Sequence, residues 1–405
     1  MSRIVLGVAG GIAAYKACLL LRLFTEAGHH VTVVPTPSAL NFVGEATWAA
    51  LSGNPVHTQV WSDADQVPHV RLGREADLVV VAPATADLMA RAASGRADDL
   101  LTNVLLTAHC PVLMAPAMHT EMWQHPATVA NVATLRERGV VVLDPDSGRL
   151  TGADTGPGRL PEPEQIEAVA LSLLHERVAA SARERDLVGV RLTVSAGGTH
   201  EALDPVRFIG NSSSGRMGMA IARAALLRGA QVRVVAAAIT APVPGAAELV
   251  RVVSTGDLAE AMAAAASDSD VLIMAAAPAD FTPERRSDGK LKKSGDEGLT
   301  VRFVQTTDVL KSLVAGRCDG QVIVGFAAET AADPEQLMEL GRAKLARKGC
   351  DLLVLNDVSG GAVFGSADNA VTIIDRGGVV DSLAADKNLV AHRILDAVVN
   401  VRKSH

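Results

Sequence analysis

The sequence predicts an α/β protein built as two Rossmann-like domains, and three observations carry that prediction. Short Val/Ile/Leu runs alternate along the chain with longer Ala-rich segments of helical periodicity, the pattern of parallel strands covered on both faces by helices. A length of 405 residues exceeds one ordinary core, so two domains are expected. A glycine-rich strand-to-helix turn also occurs twice, as AGGIAAYK near the start and SAGGTHEALDPVRFIGNSSSG at the midpoint.

In the first series the strand runs are Ile4–Val8, Val31–Val34, Leu78–Ala82, Val112–Ala115 and Val140–Leu143. The helix between the first two covers roughly Ile12 to Ala27 and stops at Gly28, a residue that accepts the left-handed conformation of a helix end. A Pro/Gly-rich stretch, DPDSGRLTGADTGPGRLPEPE, and a charged helix ending near Asp186 separate the two series. They place the boundary close to residue 190, giving domains 1–189 and 190–405. The second series runs Leu192–Ser195, Val232–Ala236, Val271–Met274, Val322–Gly325, Leu352–Leu355 and Val371–Ile374. Aromatic residues are only 3 % of the chain, so Ala, Val and Leu must build both cores.

Composition narrows the function classes. Hydrophobic residues are 48 % and charged residues 20 %, a globular balance. The net charge is −7 and no Lys/Arg block stands out, so no nucleic-acid footprint is expected. No stretch of about 18 unbroken apolar residues marks a membrane span, and Gly10 and Gly11 break the N-terminal apolar run into strand and turn rather than a signal peptide. Cys18, Cys110, Cys318 and Cys350 are scattered without a CxxC pair, which suits reduced thiols in the cytoplasm.

Both glycine turns can present backbone N–H groups to a phosphate, although a Gly-Gly after a strand is equally the mark of a tight turn. Neither is a full GxGxxG. A dinucleotide site also wants an acid at the end of the second strand, where the chain offers Pro35-Thr36-Pro37-Ser38 instead. Those hydroxyls favour a mononucleotide phosphate. His69, in VPHVRLGREADLVVVAPATADL, precedes a strand ending in Pro83-Ala84-Thr85, and PVLMAPAMHTEMW gathers Met114, Met118, His119 and Met122 at another strand end. Methionines there also fill core gaps, and a lone histidine is commonly structural.

In the second half GNSSSGRMGMAIARAAL sets Asn211, Ser212, Ser213, Ser214 and Gly215 ahead of a helix, with Arg216 adding charge, an arrangement suited to an anion. A serine-rich cap accounts for one of those residues but not for all. AAAPADF ends a strand at Asp280, and GFAAET ends another. DGKLKKSGD carries Lys290, Lys292 and Lys293 in a Gly-flanked mobile loop, either a solvated charge run or a device that closes over a triphosphate. Lys344 and Lys348 lie one helical turn apart.

AGGIAAYK, PHVRLGREADLVVVAPATADL, SGRADDLLT and PAMHTEMW together resemble the flavin-dependent cysteine decarboxylases. With the second-half motifs, the order over nearly the whole chain resembles the bifunctional phosphopantothenoylcysteine decarboxylase/phosphopantothenate–cysteine ligases of coenzyme A synthesis. The resemblance implies a flavodoxin-like flavoprotein domain with FMN at Gly10, Gly11 and Ile12, Thr36 and Ser38 near its phosphate, Ala84 and Thr85 near its ring, and His69 as catalytic histidine. Met118 and His119 would bind substrate. The implied chemistry oxidises a cysteinyl thiol to a thioaldehyde, loses CO2 and returns hydride to the enethiol. Two departures stand out: His119 replaces the asparagine usual after Pro-x-Met, and the flap Arg149–Arg159 lacks the cysteine that many members use as proton donor. Water, Thr151 or a neighbouring subunit's group then takes that role.

For the second half the resemblance implies a CTP-dependent ligase acting on 4′-phosphopantothenate and cysteine. Asn211 would orient an acyl-cytidylate and Lys290 would support the step with cysteine. Asp280, Gln305, Thr306, Thr307, Asp308, Phe326, Lys344 and Lys348 would line the CTP site, with Mg2+ bridging the phosphates; its protein ligands are not assigned. Trimeric decarboxylase and dimeric ligase contacts would combine into a homo-oligomer, a closed dodecamer. Two other readings remain at this point: a pyridine-nucleotide oxidoreductase, and a regulatory flavin-binding protein with an inactive first domain.

Overall fold

The computed structural model describes residues 1–58, 68–150, 154–292, 298–330, 333–357 and 368–404; Thr151 and Lys293, named above, lie outside them. The chain divides into two compact units, Met1–Arg185 and Asp186–His405.

The first unit is built on five strands: β1 (Arg3–Val8), β2 (His30–Pro35), β3 (Leu78–Ala84), β4 (Val112–Pro116) and β5 (Val141–Val142). All pair in parallel, in the order β2-β1-β3-β4-β5. That is the flavodoxin-like winding, whose ligands bind where the strand order reverses, at the carboxyl ends of β1 and β3. The helix Ala14–Glu26 buries Ala14, Ala17, Leu20, Leu21 and Phe24, a stripe of helical spacing against the sheet, and Gly28 follows it with φ 84°. The fifth run is shorter than its apolar stretch suggested. Leu143 lies just beyond the strand, its N–H making the last bond of the ladder to the Met114 carbonyl at 2.9 Å. Two polar strands that no apolar run announces, β6 (Asp146–Arg149) and β7 (Thr155–Arg159), then pair as an antiparallel ribbon.

The second unit has β8 (Arg191–Ala196), β9 (His200–Ala202), β10 (Phe208–Gly210), β11 (Gln231–Ala236), β12 (Glu248–Arg251), β13 (Val271–Met274), β14 (Phe281–Pro283), β15 (Phe303–Gln305), β16 (Val322–Glu329), β17 (Leu352–Asp357), β18 (Asp368–Asp375) and β19 (Gly378–Asp386). Eight form one sheet in the order β12-β11-β8-β13-β16-β17-β18-β19, and two short antiparallel ribbons, β9 with β10 and β14 with β15, stand beside it. The strands from β12 to β17 are parallel, and β18 and β19 are antiparallel at the edge. The cause is local. Asp375 Oδ1 accepts the N–H groups of Gly377 and Gly378, at 2.7 and 3.0 Å, making a tight turn that can only join antiparallel neighbours.

Helices Arg216–Leu227 and Lys387–Ser404 pack Ile221 and Leu395 on one face of this sheet. Thr255–Ala266, Val309–Ala315 and Pro334–Lys348 pack Leu258, Leu313 and Leu345 on the other. With both faces covered, β13, β16 and β17 are apolar on both sides, whereas β8 buries Thr193 and Ser195 on one face, Thr193 hydrogen-bonded to Ser269.

Candidate active sites

A cavity of about 450 Å3 in the first unit lies at the carboxyl ends of its strands and is lined by Gly10, Gly11, Ile12, Thr85, Met118 and His119, together with residues of the ribbon. Gly10 follows β1 so tightly against the next loop that a Cβ there would lie 2.4 Å from Cβ of Ser38. At Gly11 a Cβ would meet only Thr85 Cγ2, at 3.7 Å, so the backbone is bare on its cavity side. Thr85 follows β3 and caps the helix Ala86–Ser94, its hydroxyl accepting the Leu88 N–H at 3.3 Å. Beyond β4 the Met118 N–H donates to the Gly158 carbonyl at 2.9 Å, which lays β7 along the Met118–His119 segment.

Three residues expected at the flavin do not line this cavity. Ala84 is fully buried within β3. Thr36 is buried and its hydroxyl accepts the Ala39 N–H at 3.3 Å. Ser38 stands against Gly10 rather than facing the space. His69, on the helix Pro68–Glu75, is also off the lining; Thr107 Oγ1 donates to its carbonyl at 2.9 Å, and its Nδ1 is buried without a hydrogen-bond partner.

Tyr15 and Lys16 line the cavity and were not singled out from the sequence. Helical geometry carries them there, one turn beyond the glycines. Lys16 Nζ bonds Glu162 at 2.9 Å, and Arg159 bonds the same carboxylate. Burial raises the Glu162 pKa, but the Lys16 hydrogen bond and the charges of Lys16 and Arg159 outweigh it and hold the carboxyl below its usual range. Lys16, Arg149 and Arg159 therefore give the cavity a cationic side, while Ile12, Met118, Met122 and Leu150 give it an apolar one. Bare backbone, cations and apolar walls fit a ligand that joins a phosphate to a flat ring.

In the second unit a cavity of about 880 Å3 brings together Asn211, Asp280, Gln305, Thr306, Thr307, Asp308, Phe326, Lys344 and Lys348. Its floor is the end of β13 and the segment from Ala275 to Asp280. Its sides are the Ser212–Gly215 loop, which leads into the helix Arg216–Leu227, and the loop after β15. Asn211 Nδ2 donates to the Pro278 carbonyl at 2.8 Å. Thr306 donates to the Ala279 carbonyl through Oγ1, at 2.6 Å, and to the Asp280 carbonyl through its N–H, at 3.0 Å. Asp308 caps the helix Val309–Ala315, accepting the Lys311 N–H at 3.1 Å, and also bonds Lys348. Burial raises the Asp308 pKa; the bonds from Lys348 and the Lys311 N–H prevail and leave it below the ordinary carboxylate range. Lys344 Nζ bonds Glu329 at 2.7 Å.

The second glycine turn is packed on the protein's own backbone. A Cβ at Gly198 would fall 2.0 Å from the Asn211 carbonyl oxygen, and the Gly198 N–H donates to Ala238 at 3.2 Å. Lys290 is exposed and is not part of the cavity lining. Asn356 and Lys387 line the cavity without having been foreseen, because neither belongs to a glycine- or serine-rich motif. Among the described residues no group of three or more His, Cys, Asp or Glu is placed to hold a metal ion, and no helix is long and apolar enough to cross a membrane.

A flavodoxin-like sheet with a cationic and apolar cavity, followed by a second α/β sheet with a serine-, threonine- and lysine-lined cavity, defines a two-domain enzyme for phosphate-bearing ligands. Comparison with known proteins narrows the class. Residues 1–175 match the Flavoprotein family, and residues 187–401 match the DNA/pantothenate metabolism flavoprotein C-terminal domain. The chain is 55 % identical over 409 residues to the coenzyme A biosynthesis bifunctional protein CoaBC of Mycolicibacterium smegmatis, covering 99 % of this chain and 98 % of that one. To the protein of the same name in Bacillus subtilis it is 40 % identical over 405 residues, covering 99 % and 97 %. A solved C-terminal domain of a coenzyme A biosynthesis bifunctional protein CoaBC is 31 % identical, covers 55 % of this chain and 100 % of its own, and superposes with a TM-score of 0.46.

The chain belongs to the family of coenzyme A biosynthesis bifunctional proteins. It is a bifunctional enzyme, a flavoprotein decarboxylase joined to a ligase; the pyridine-nucleotide oxidoreductase and the inactive regulatory protein weighed above are set aside.

Proposed function

We propose that the second unit ligates cysteine to 4′-phosphopantothenate with CTP and that the first unit decarboxylates the product to 4′-phosphopantetheine. The observation that carries the ligase half is the gathering of nine side chains from five separate segments around one cavity. In this reading the substrate carboxylate attacks the α-phosphate of CTP, pyrophosphate leaves, and the amine of cysteine then displaces CMP from the acyl-cytidylate. The Ser212–Gly215 loop and the helix start behind it receive phosphate oxygens. Lys344 and Lys348 turn from Glu329 and Asp308 to the triphosphate, Asn211 orients the acyl group, and Lys290 supports the attack of cysteine. Mg2+ would be held largely through the phosphates, and such a site would need no preassembled protein cluster.

In the first unit FMN, when bound, supplies the oxidation of the cysteinyl thiol and the return of two electrons after CO2 is lost. The Gly10–Ile12 backbone would hold its phosphate, and Thr85 and Met118 would bound its ring. His119 donates to the substrate carboxylate, and His69 holds or moves a proton beside the reacting carbon. His69 lies off the cavity of its own chain. That supports a homo-oligomer in which a second copy completes the site. Exposed Ile12, Tyr15 and Leu19 in the first unit, and Phe208 and Phe281 in the second, give each unit an apolar surface to cover, as a dodecamer would. Four free cysteines suit the reducing cytoplasm.

The test supplies 4′-phosphopantothenate and CTP without cysteine and follows pyrophosphate and CO2. The expected result is a burst of pyrophosphate without CO2, much weaker with ATP, and CO2 only once cysteine is added. CO2 before cysteine, or no pyrophosphate at all, contradicts the reading.

A further inference from the structure

Lys290 was expected in a mobile loop, and its backbone is instead fastened on both sides. Ahead of it, the Ser287 N–H donates to the Leu203 carbonyl at 3.0 Å, and Ser287 Oγ donates to the Gly289 carbonyl at 2.7 Å. Behind it, the Leu291 N–H donates to Asp204 Oδ2 at 3.1 Å, and the Arg207 guanidinium donates to the Leu291 carbonyl. Lys290 itself extends into solvent.

Asp204 is the centre of this arrangement. Its side chain is fully buried, and both oxygens are used. Oδ1 accepts the N–H groups of Val206 and Arg207, at 2.8 and 2.7 Å, and Oδ2 also meets Arg207 Nε, at 3.1 Å. Burial works against this charge, but the three backbone N–H bonds and the Arg207 charge hold its pKa below the usual carboxylate range. The same turn leads straight through β10 to Asn211. One buried carboxylate therefore ties the backbone at Lys290 to the strand that delivers Asn211.

We propose that Asp204 is a positioning residue for the amide-forming half-reaction, latching the segment that presents Lys290 to the turn that presents Asn211. The proposal rests on the role given above to Lys290, and goes beyond it in saying what sets that lysine's place. Asparagine cannot replace Asp204, because every group facing its two oxygens is a donor. The amide nitrogen would oppose a donor and leave one side of the latch unmade.

The experiment compares the wild-type protein with Asp204→Asn, Ser287→Ala and Lys290→Gln. One measurement is hydrogen exchange in peptides covering residues 287–292; the other is single-turnover release of pyrophosphate and of CMP. In Asp204→Asn the Leu291 amide is expected to lose protection, with CMP release slowed about tenfold or more and pyrophosphate release within about threefold of wild type; a tenfold rate loss equals about 1.4 kcal/mol. Ser287→Ala, a milder surface change, should show a smaller loss of the same kind. Unchanged exchange in Asp204→Asn overturns the latch, as does normal CMP release in Asp204→Asn when Lys290→Gln slows it. Equal losses of pyrophosphate and CMP release in both Asp204→Asn and Ser287→Ala also overturn it. If Lys290→Gln leaves CMP release intact, the role of Lys290 fails instead, and the exchange of Leu291 still decides whether the latch exists.

Discussion

Lys348 and Asp308, forty positions apart, are hydrogen-bonded at the wall of the second cavity, and Lys344 and Glu329 form a second such pair at 2.7 Å. Both lysines thus wait on carboxylates at the place where a triphosphate would bind, so ligand binding exchanges one ion pair for another.

Replacing either lysine by glutamine should weaken CTP binding. A hydrogen bond to a charged group contributes about 1.5–3 kcal/mol, and the carboxylate pair given up offsets part of it, so each loss corresponds to roughly a tenfold rise in Kd, measurable by calorimetry. The Asp308 pair has a pH signature as well. Its pKa is depressed in the fold, so the stabilisation is complete above the unfolded carboxylate pKa and fades as pH falls through the folded value. Asp308→Asn should flatten the acid limb of the stability curve below about pH 4.

Gly10→Ala should cost the flavin. The new methyl would sit 2.4 Å from Cβ of Ser38 and 2.9 Å from its backbone carbon, so the turn at the end of β1 must shift. The expected outcome is a colourless protein without flavin absorbance that still releases pyrophosphate from CTP. Full flavin occupancy in that variant would show that the turn is not the flavin's seat.

Arg228 is 1 % exposed and bridges Asp186 and Asp396, at 2.5 and 2.9 Å. Truncating one partner of a buried ion pair strands the others at a cost of about 3–5 kcal/mol. Arg228→Met should therefore lower the denaturant midpoint of the second unit strongly; a change below about 1 kcal/mol would mean that the two carboxylates rehydrate freely.

Strand ends are where the sequence was most legible. Asp280 and Phe326 follow or end apolar runs, and a doubly wound sheet directs such positions into its crevice. Thr36 and Ala84 had the same kind of address yet turn inward, because a strand end fixes position along the sheet but not which way each side chain faces. Lys387 opens the last helix after the half-exposed strand β19, where no motif marks it. Asp204 was invisible for a different reason: its partner Leu291 lies 87 positions away, and only the fold brings them together.

The most direct test of the division of labour is a paired assay of His69→Asn and Lys290→Gln, with CMP and CO2 measured in the same reaction. His69→Asn should release CMP at the wild-type rate, accumulate 4′-phosphopantothenoylcysteine and form no CO2. Lys290→Gln should form neither product from CTP and cysteine, yet decarboxylate supplied 4′-phosphopantothenoylcysteine normally. Loss of CMP release in His69→Asn, or of decarboxylation in Lys290→Gln, would contradict two separate active sites in one chain.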